Sequence, residues 1–364
     1  MMNKYLSEKY ALLGKNPAKQ DKLTSVLRGV IKSPTVQILL FTAIVFIVGN
    51  LSLQKVLPYS WFSAFASTFA YAIAAVGFCL LMGYSGLASL GTGGFIGIGT
   101  YAVHYVVTES GLPFLLAILI AILIAVAIGV IVGFISLRIE GIYLVILTLG
   151  LSEILRNLYM VLEDKISLSK DPTILGFAIT RKTTLYVVAV VLAVIMIITH
   201  NIINSPTGRA MLAMKNSTAA AQAMGISLMK YRLMAFIICT VYASVSGTML
   251  MLVVRNAMAS QGTGFYALIT SLNILAAVII GGYKSIWGAV FGSFVMYGMQ
   301  TVVLNNIDFL AKNPVIITFV SGILVIIVVM FYPGGLAQLL LELKGKIKVL
   351  RTRMREAKYG KNLG

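Results

Sequence analysis

The stretch SPTGRAMLAMKNSTAAAQAMGISLMKYRL, Ser205 to Leu233, separates two long apolar runs, and the arrangement of the chain follows from it. It has no acidic residue, and its basic residues are Arg209, Lys215, Lys230 and Arg232. Because apolar segments flank it on both sides, the stretch is expected to leave a membrane and return to it. Loops rich in Lys and Arg stay on the cytoplasmic side. We therefore predict a cytoplasmic loop over about residues 205–232.

The same stretch predicts a short helix within this loop. Ala and Met dominate it, and both favour helix. Ser217 or Thr218 is placed to cap a helix over residues 219–224, and Gly225 is placed to end it. Such a helix is suited to docking a partner protein. The alternative is a plain connector whose charges only fix the topology.

The composition indicates an all-α polytopic membrane protein. Hydrophobic residues make up 59% of the chain, charged residues 11%, and the mean hydropathy is +0.95. Soluble domains carry about 25% charged residues, whereas repeated apolar runs of about 20 residues indicate membrane-spanning helices. Cys79 and Cys239 both lie inside apolar runs and are interpreted as packing residues. No metal site and no cleavable signal sequence are expected.

Ten apolar runs predict ten helices, of which the third is glycine-rich and is expected to be broken or re-entrant. They cover about residues 34–53, 60–82, 88–108, 113–137, 141–162, 184–204, 233–255, 265–282, 286–304 and 314–332. The membrane domain, 34–336, is thus flanked by a basic arm, 1–33, and a basic tail, 337–364. With six helices before the central loop and four after it, the arm, the loop and the tail all lie in the cytoplasm, as their charge requires.

The net charge of +18 has two interpretations. Basic residues next to apolar helices fix topology and attract anionic lipid. A high isoelectric point is also typical of nucleic-acid binding. Since the basic residues flank apolar helices and do not form a domain of their own, we expect contact with anionic lipid and no nucleic-acid partner.

The run MGYSGLASLGTGGFIGIGTYA, Met82 to Ala102, contains seven glycines. In lipid, small residues allow close helix packing or an unwound segment that lines a cavity, and the run alone leaves both open. Its GYSG also matches the Gly-x-Ser-Gly of intramembrane serine proteases, but that chemistry requires a histidine facing Ser85. His104 lies near the far end of the third run and His200 near the cytoplasmic end of the sixth, so this interpretation is not favoured.

Glu153 and Arg156 are charges set within an apolar run. Charges at this depth are costly and rarely face lipid. Their spacing of three places them on one helix face, where they can neutralise each other. A structural ion pair and a role near a substrate path are both open.

Four motifs, in the same order, resemble those of the permease subunits of bacterial ABC importers, most closely the branched-chain amino-acid type. The central GRA…AMGI…YR resembles the coupling loop of that family. Gly86–Tyr101 resembles its Gly-x-x-Ser-Leu-Gly…Gly-Ile-Gly-x-Tyr signature, and Gly141–Arg156 its Gly-Ile-Tyr…Thr-Leu…Glu-Ile-x-Arg string. Ile279–Phe294 resembles its Gly-Gly-x-x-Ser-x-x-Gly hairpin. The resemblance covers about residues 60–336.

The chain departs from the family pattern at three places. Asn216, Ser217 and Thr218 stand where acidic residues are usual in the loop. Thr92 stands where many members have histidine, and Ala289 where proline is common.

The resemblance implies a non-catalytic permease subunit in the bacterial cytoplasmic membrane. It implies as partners two ABC ATPases, a second permease that is related or identical, and an extracytoplasmic binding protein. The sequence contains no G-x-x-x-x-G-K-[ST] motif, so ATP is expected to be used by the partners and no cofactor to be bound by this chain. The residues expected to contact the ATPases are Gly208, Arg209, Lys215, Ala219, Ala220, Ala223 and Gly225. The candidates for the substrate path are Ser89, Gly91, Thr92, Gly97, Tyr101, Glu153 and Arg156.

Two alternatives remain. The same topology and part of the glycine signature occur in permeases for sugars or nucleosides. A secondary transporter would instead have ion-coupling acids at mid-membrane and inverted repeats. The sequence shows one intramembrane acid, already beside an arginine, and no clear repeat.

Overall fold

The computed structural model describes residues 33–53, 59–136, 142–174, 176–260 and 266–302, and the single positions 322, 323, 326, 330 and 335. Residues 1–32 of the predicted arm, the predicted tail 337–364 and most of the last predicted helix, 314–332, lie outside this description.

Within the described ranges the fold is almost entirely helical. The helices are α1 Pro34–Leu53, α2 Tyr59–Leu80, α3 Thr92–Val103, α4 Phe114–Ser136, α5 Ile142–Glu163, α6 Thr184–Asn204, α7 Pro206–Asn216, α8 Thr218–Ala223, α9 Leu228–Val254, α10 Leu268–Gly281, α11 Ile286–Ser293 and α12 Met299–Val302. π-Helical turns extend α2, α3 and α11 over Leu81–Ser85, His104–Glu109 and Phe294–Gly298. Four short strands, β1 Lys165–Ser167, β2 Thr173–Ile174, β3 Phe177–Ala178 and β4 Asn256–Met258, complete the described elements.

Six of these helices are long and apolar enough to cross a membrane. They are α1, α2 with its π-turn, α4, α5, α6 and α9. Helices α10 and α11 are apolar but shorter. The predicted third run is broken: residues 86–91 are not helical, and α3 begins only at Thr92. The first nine predicted runs all fall on helices, so the polytopic helical class is confirmed.

Helix α9 lies at the centre of the described part and packs against α2, α3 and α4. The α3–α9 contact is close because small residues face each other there. A Cβ on Gly99 would overlap the carbonyl of Ser244, and one on Gly247 would overlap the carbonyl of Ile96. In lipid, such backbone approach supplies the packing that holds helices together.

Two strands join the ends of α5 and α9 opposite the central loop. Strand β1 pairs antiparallel with β4, and Ile166 lies opposite Ala257. The Asp164 carboxylate accepts hydrogen bonds from the backbone N–H and the hydroxyl of Ser260, at 2.7 and 2.8 Å. His104, in the π-turn after α3, contacts the Glu163 carboxylate at 2.9 Å. The ends of α3, α5 and α9 are therefore fixed to one another on this side.

Candidate functional site

The central loop forms two helices, and a tight corner joins the first of them to α6. The Ser205 hydroxyl caps α7 by accepting from the N–H of Gly208 at 3.4 Å, and Pro206 occupies the first turn. A Cβ on Gly208 would overlap the carbonyls at the end of α6. Gly208 therefore permits the corner, and Arg209 follows it as an exposed side chain.

The predicted cap of α8 is confirmed, and the helix begins and ends one residue earlier than expected. Of the two candidate caps, Ser217 acts: its hydroxyl accepts from the N–H of Ala220 at 3.2 Å. Gly225 ends the helix with φ +77°, as predicted. Ala221 is the buried residue of α8 and faces the rest of the protein. The outer face consists of exposed small residues, Ala219, Ala220 and Ala223, and beside them the Met224 side chain is 82% exposed.

Lys215 connects the central loop to the glycine-rich run. Its Nζ donates to the carbonyl oxygens of Met82 at 3.1 Å and Gly83 at 2.8 Å, in the π-turn that ends α2. A π-turn displaces carbonyls from the regular helical pattern, and Lys215 supplies their partner. Its Nζ also lies 4.6 Å from the centre of the Tyr283 ring, a cation–π distance.

The surroundings of Lys215 lower its pKa. Desolvation by burial is the larger cause, and the positive charge of Lys284 is the second. Lys284 belongs to the turn between α10 and α11, whose backbone also accepts from α2: the Tyr84 hydroxyl donates to the Lys284 carbonyl at 3.1 Å. Three segments therefore meet at one point: the central loop, the end of α2 and the α10–α11 turn.

The α10–α11 turn explains the Gly-Gly-x-x-Ser-x-x-Gly pattern of the sequence. A Cβ on Gly281 would overlap the Gly288 carbonyl, so the two helices approach through their backbones. The Ser285 hydroxyl caps α11 by accepting from the N–H of Gly288 at 3.1 Å. The glycines of the motif therefore allow α10 and α11 to pack closely, and its serine caps α11.

The segment 86–91 runs without helix to the start of α3, and hydroxyl groups accept from four backbone amides in this segment and in the first α3 turn. The Leu90 N–H donates to the Thr148 hydroxyl at 3.0 Å, and the Gly91 N–H to the Ser89 hydroxyl at 3.2 Å. The amides of Gly93 and Gly94 donate to Ser271 at 2.8 Å and Ser152 at 2.9 Å. Gly91 and Thr92 are buried here, as is Ser89.

Along α3 the glycines serve close packing. A Cβ on Gly97 would overlap the ring of Tyr159, whose hydroxyl donates to the Gly94 carbonyl at 2.7 Å. Tyr101 stacks on the same Tyr159 ring, with centroids 4.6 Å apart. Its hydroxyl donates to the Glu163 carbonyl at 2.6 Å. The packing interpretation of the run is thus confirmed for α3, and contact of these residues with a substrate stays a prediction.

Glu153 and Arg156 form the ion pair that their spacing predicted. The Arg156 Nε donates to the Glu153 carboxylate at 2.8 Å, and its Nη1 lies 3.4 Å from the Ala259 carbonyl. Ser152, the neighbour of Glu153, faces α3 instead. The ion pair is therefore placed beside the segment after β4, apart from the hydroxyls at the start of α3.

The hydroxyl groups of Thr148, Ser152 and Ser271 were not among the residues predicted from the sequence. Thr148 and Ser152 are four residues apart in an apolar run, which places them on one helix face, and this spacing was a usable signal. The protease arrangement does not form: the Ser85 hydroxyl donates to the Leu81 carbonyl, and neither histidine is its hydrogen-bond partner. In the described part, no group of His, Cys, Asp and Glu is arranged to hold a metal ion.

Comparison with known proteins agrees with the motifs. The family model for the permease component of the branched-chain amino acid transport system matches residues 60–329. The high-affinity branched-chain amino acid transport system permease protein LivM of Salmonella typhimurium is 29% identical over 248 residues, which cover 60% of this chain and 57% of that protein. LivM of Escherichia coli is 27% identical over 259 residues, which cover 63% of this chain and 60% of that protein.

The matched region thus spans less than two thirds of either relative's length. Among solved structures, PsaBC from Streptococcus pneumoniae in complex with Fab covers 78% of this chain and 94% of that chain, with 15% identity and a TM-score of 0.39.

Proposed function

Because the chain belongs to the permease component family of the branched-chain amino acid transport system, we propose that it is the membrane-spanning subunit of an ATP-driven importer of branched-chain amino acids. It is a multi-pass protein of the cytoplasmic membrane. In this proposal two separate ATPases drive it, a related or identical permease completes the path, and an extracytoplasmic binding protein delivers the substrate.

The observation that carries the proposal is the outer face of α8. Ala219, Ala220 and Ala223 are exposed there, on a short helix that protrudes from the bundle with a cap at each end. Small side chains permit close approach of a partner backbone. The exposed face of small side chains therefore supports docking of an ATPase.

In this proposal, the contacts of α7 behind that face couple movement of the ATPases to the membrane helices. Closure of the ATPases displaces α8 and, with it, α7, because the two are joined by the single residue Ser217. Lys215 passes this movement to the Gly83 carbonyl at the end of α2. The chain then runs directly through residues 86–91 to α3, so a displacement of the loop reaches the non-helical segment inside the membrane.

The proposed topology has ten spanning helices, with both termini and the α7–α8 loop in the cytoplasm. The charge of the arm, loop and tail supports this orientation. Ser85 and Lys284 then lie near the cytoplasmic surface, and β1 and β4 lie outside. This chain binds no cofactor itself, and ATP is bound by its partners.

The test is co-purification of the tagged permease with its ATPases, at matched membrane expression. Ala220→Trp places a large side chain on the docking face and is expected to abolish assembly and ATP-driven leucine uptake. Ala178→Trp is the matched control, because Ala178 is also exposed but lies in β3, on the proposed outer side. Wild-type assembly and uptake by Ala220→Trp would show that α8 is not the coupling element.

The alternatives predict other outcomes. A secondary transporter has no ATPase to lose, so its uptake would persist in the Ala220→Trp variant and stop when the proton or sodium gradient is collapsed. A sugar or nucleoside permease would assemble with ATPases and fail to import leucine.

A further inference from the structure

Helix α3 begins inside the membrane, not at its surface. Gly94 is bonded to Ser152, which lies eleven residues before the end of α5 at Glu163, or about 16 Å at 1.5 Å per residue. Gly93 is bonded to Ser271, ten residues before the end of α10 at Gly281, or about 15 Å. The hydrocarbon core is about 30 Å thick, so distances from opposite sides both place the start of α3 near its middle.

A second helix begins at the same place. Helix α10 starts at Leu268, and no side chain caps it at Ala267. The space beside Gly93 is bounded by the carbonyls of Tyr266 and Ala267. Helix N-termini carry a partial positive charge. Two such ends at mid-membrane produce a local preference for negative charge where water is scarce.

One buried polar group at the start of α3 forms no hydrogen bond within the described structure. Thr92, the first residue of α3, is 3% exposed, and its Oγ1 has no hydrogen-bond partner among the described residues. An unsatisfied buried hydroxyl costs free energy, and such groups require an explanation. The preceding segment, 86–91, is partly exposed, and irregular backbone at membrane depth is tolerated where it lines a cavity.

We propose that the N-terminus of α3, with the Thr92 hydroxyl as an added donor, binds the α-carboxylate of the transported amino acid midway through the membrane. This inference rests on the proposed function and names the group of the substrate that the permease recognises. Ser152 and Ser271 now accept from the Gly94 and Gly93 amides. When the path opens, a carboxylate oxygen takes their place and the hydroxyls turn to donate to it. The carbonyls of Tyr266 and Ala267 then lie near enough for the substrate ammonium group.

The proposal is tested by Thr92→Val, which removes the hydroxyl and keeps the shape, beside Thr92→Ser, which keeps the hydroxyl. Because the Thr92 Oγ1 stabilises nothing described in the fold, Thr92→Val is expected to leave the melting temperature of the permease–ATPase complex unchanged or higher. A hydrogen bond to a charged group is worth enough that ATP-driven leucine uptake in proteoliposomes should fall at least about tenfold. Thr92→Ser should retain most of the uptake.

Thr68→Val is the matched control, since Thr68 is equally buried and its hydroxyl bonds only within its own helix. A second measurement follows the melting temperature of the complex without binding protein. L-Leucine should raise it in the wild type and in Thr92→Ser but not in Thr92→Val, and L-leucinol, which lacks the carboxylate, should not raise it in any.

Normal uptake by Thr92→Val, or equal stabilisation by leucine and leucinol, would overturn the carboxylate site and leave the proposed function intact. Absence of ATP-dependent leucine uptake in the wild type would refute the proposed function, and this inference with it.

Discussion

The Nζ of Lys215 donates a hydrogen bond of 2.8 Å to the carbonyl oxygen of Gly83, across 132 residues of sequence. The contact joins the strongly basic central loop to the end of α2, from which the non-helical segment 86–91 leads to α3. The π-turn displaces these carbonyls from the regular helical hydrogen-bond pattern. The Lys215 ammonium group can therefore donate to both of them.

Lys215→Met is expected to break the link while keeping the length and apolar stem of the side chain. Two carbonyls in partly buried hydrogen bonds then lose a charged donor, a cost of about 1–3 kcal/mol. We expect the ATPases to remain bound and to hydrolyse ATP with little leucine uptake, measured as the ratio of the two rates in proteoliposomes.

Lys230→Met serves as the control, because Lys230 is exposed in the same loop region, and Lys215→Arg should restore part of the coupling. An unchanged ratio in Lys215→Met would show that movement reaches α2 by another contact.

Gly97→Ala is expected to destabilise the protein. A Cβ there would overlap the Tyr159 ring, and overpacking of this kind costs about 1–3 kcal/mol. Gly150→Ala on α5 is the matched control, because nothing lies within 4 Å of its Cβ position, and alanine favours helix over glycine by about 1 kcal/mol. Thermal unfolding in detergent should separate the two variants. If both melt as the wild type does, the α3–α5 contact is looser than described.

Gly225→Val should impair coupling through the backbone alone. The position has open space around it but a φ of +77°, where a non-glycine residue costs about 1–2 kcal/mol and a β-branched one is a clear outlier. Gly225→Asn is expected to be tolerated, because asparagine adopts this conformation more readily. ATPase co-purification is the measurement, and equal behaviour of Val and Asn would mean that the turn after α8 is not required.

Arg156→Met is expected to be more damaging than the double change Glu153→Gln with Arg156→Met. Removal of the arginine leaves the Glu153 carboxylate without the partner that lies 2.8 Å away, and a single charge at membrane depth is costly. The double variant removes both charges. A double-mutant cycle on folded yield measures the difference, and additive losses would show that the two charges act independently.

Cysteine labelling tests the orientation. Ser217→Cys should react only after the membrane is permeabilised, whereas Phe177→Cys, at a residue 80% exposed in β3, should react in intact cells. The native Cys79 and Cys239 are buried, so the unaltered protein provides the blank. Labelling of Ser217→Cys from outside would refute the cytoplasmic placement of the loop.

The sequence predicted those features that depend on neighbours along the chain. The cap at Ser217 and the turn at Gly225 follow from local backbone requirements, and the Glu153–Arg156 pair follows from helical spacing. The interruption before α3 follows from glycine content. Each of these requires knowledge of at most a few adjacent residues.

Other features depend on which distant segments meet. The partner of Lys215 lies 132 residues away, and the partner of the Gly93 amide is Ser271, 178 residues away. Periodicity and composition hold no information on such pairings. The π-turn after α2 could not be predicted from the sequence either, because the residue that donates to its carbonyls, Lys215, is distant along the chain.

The pairing of β1 with β4 has a mechanical consequence. It ties the far ends of α5 and α9 by a backbone ladder from Lys165 to Ser167, and Asp164 fastens the same ends through Ser260. Helices joined at one end can separate only at the other, so we expect any relative motion of α5 and α9 to centre on this paired end. A displacement of α7 and α8 is therefore expected to separate α5 and α9 most at their other ends, Ile142 and Leu228.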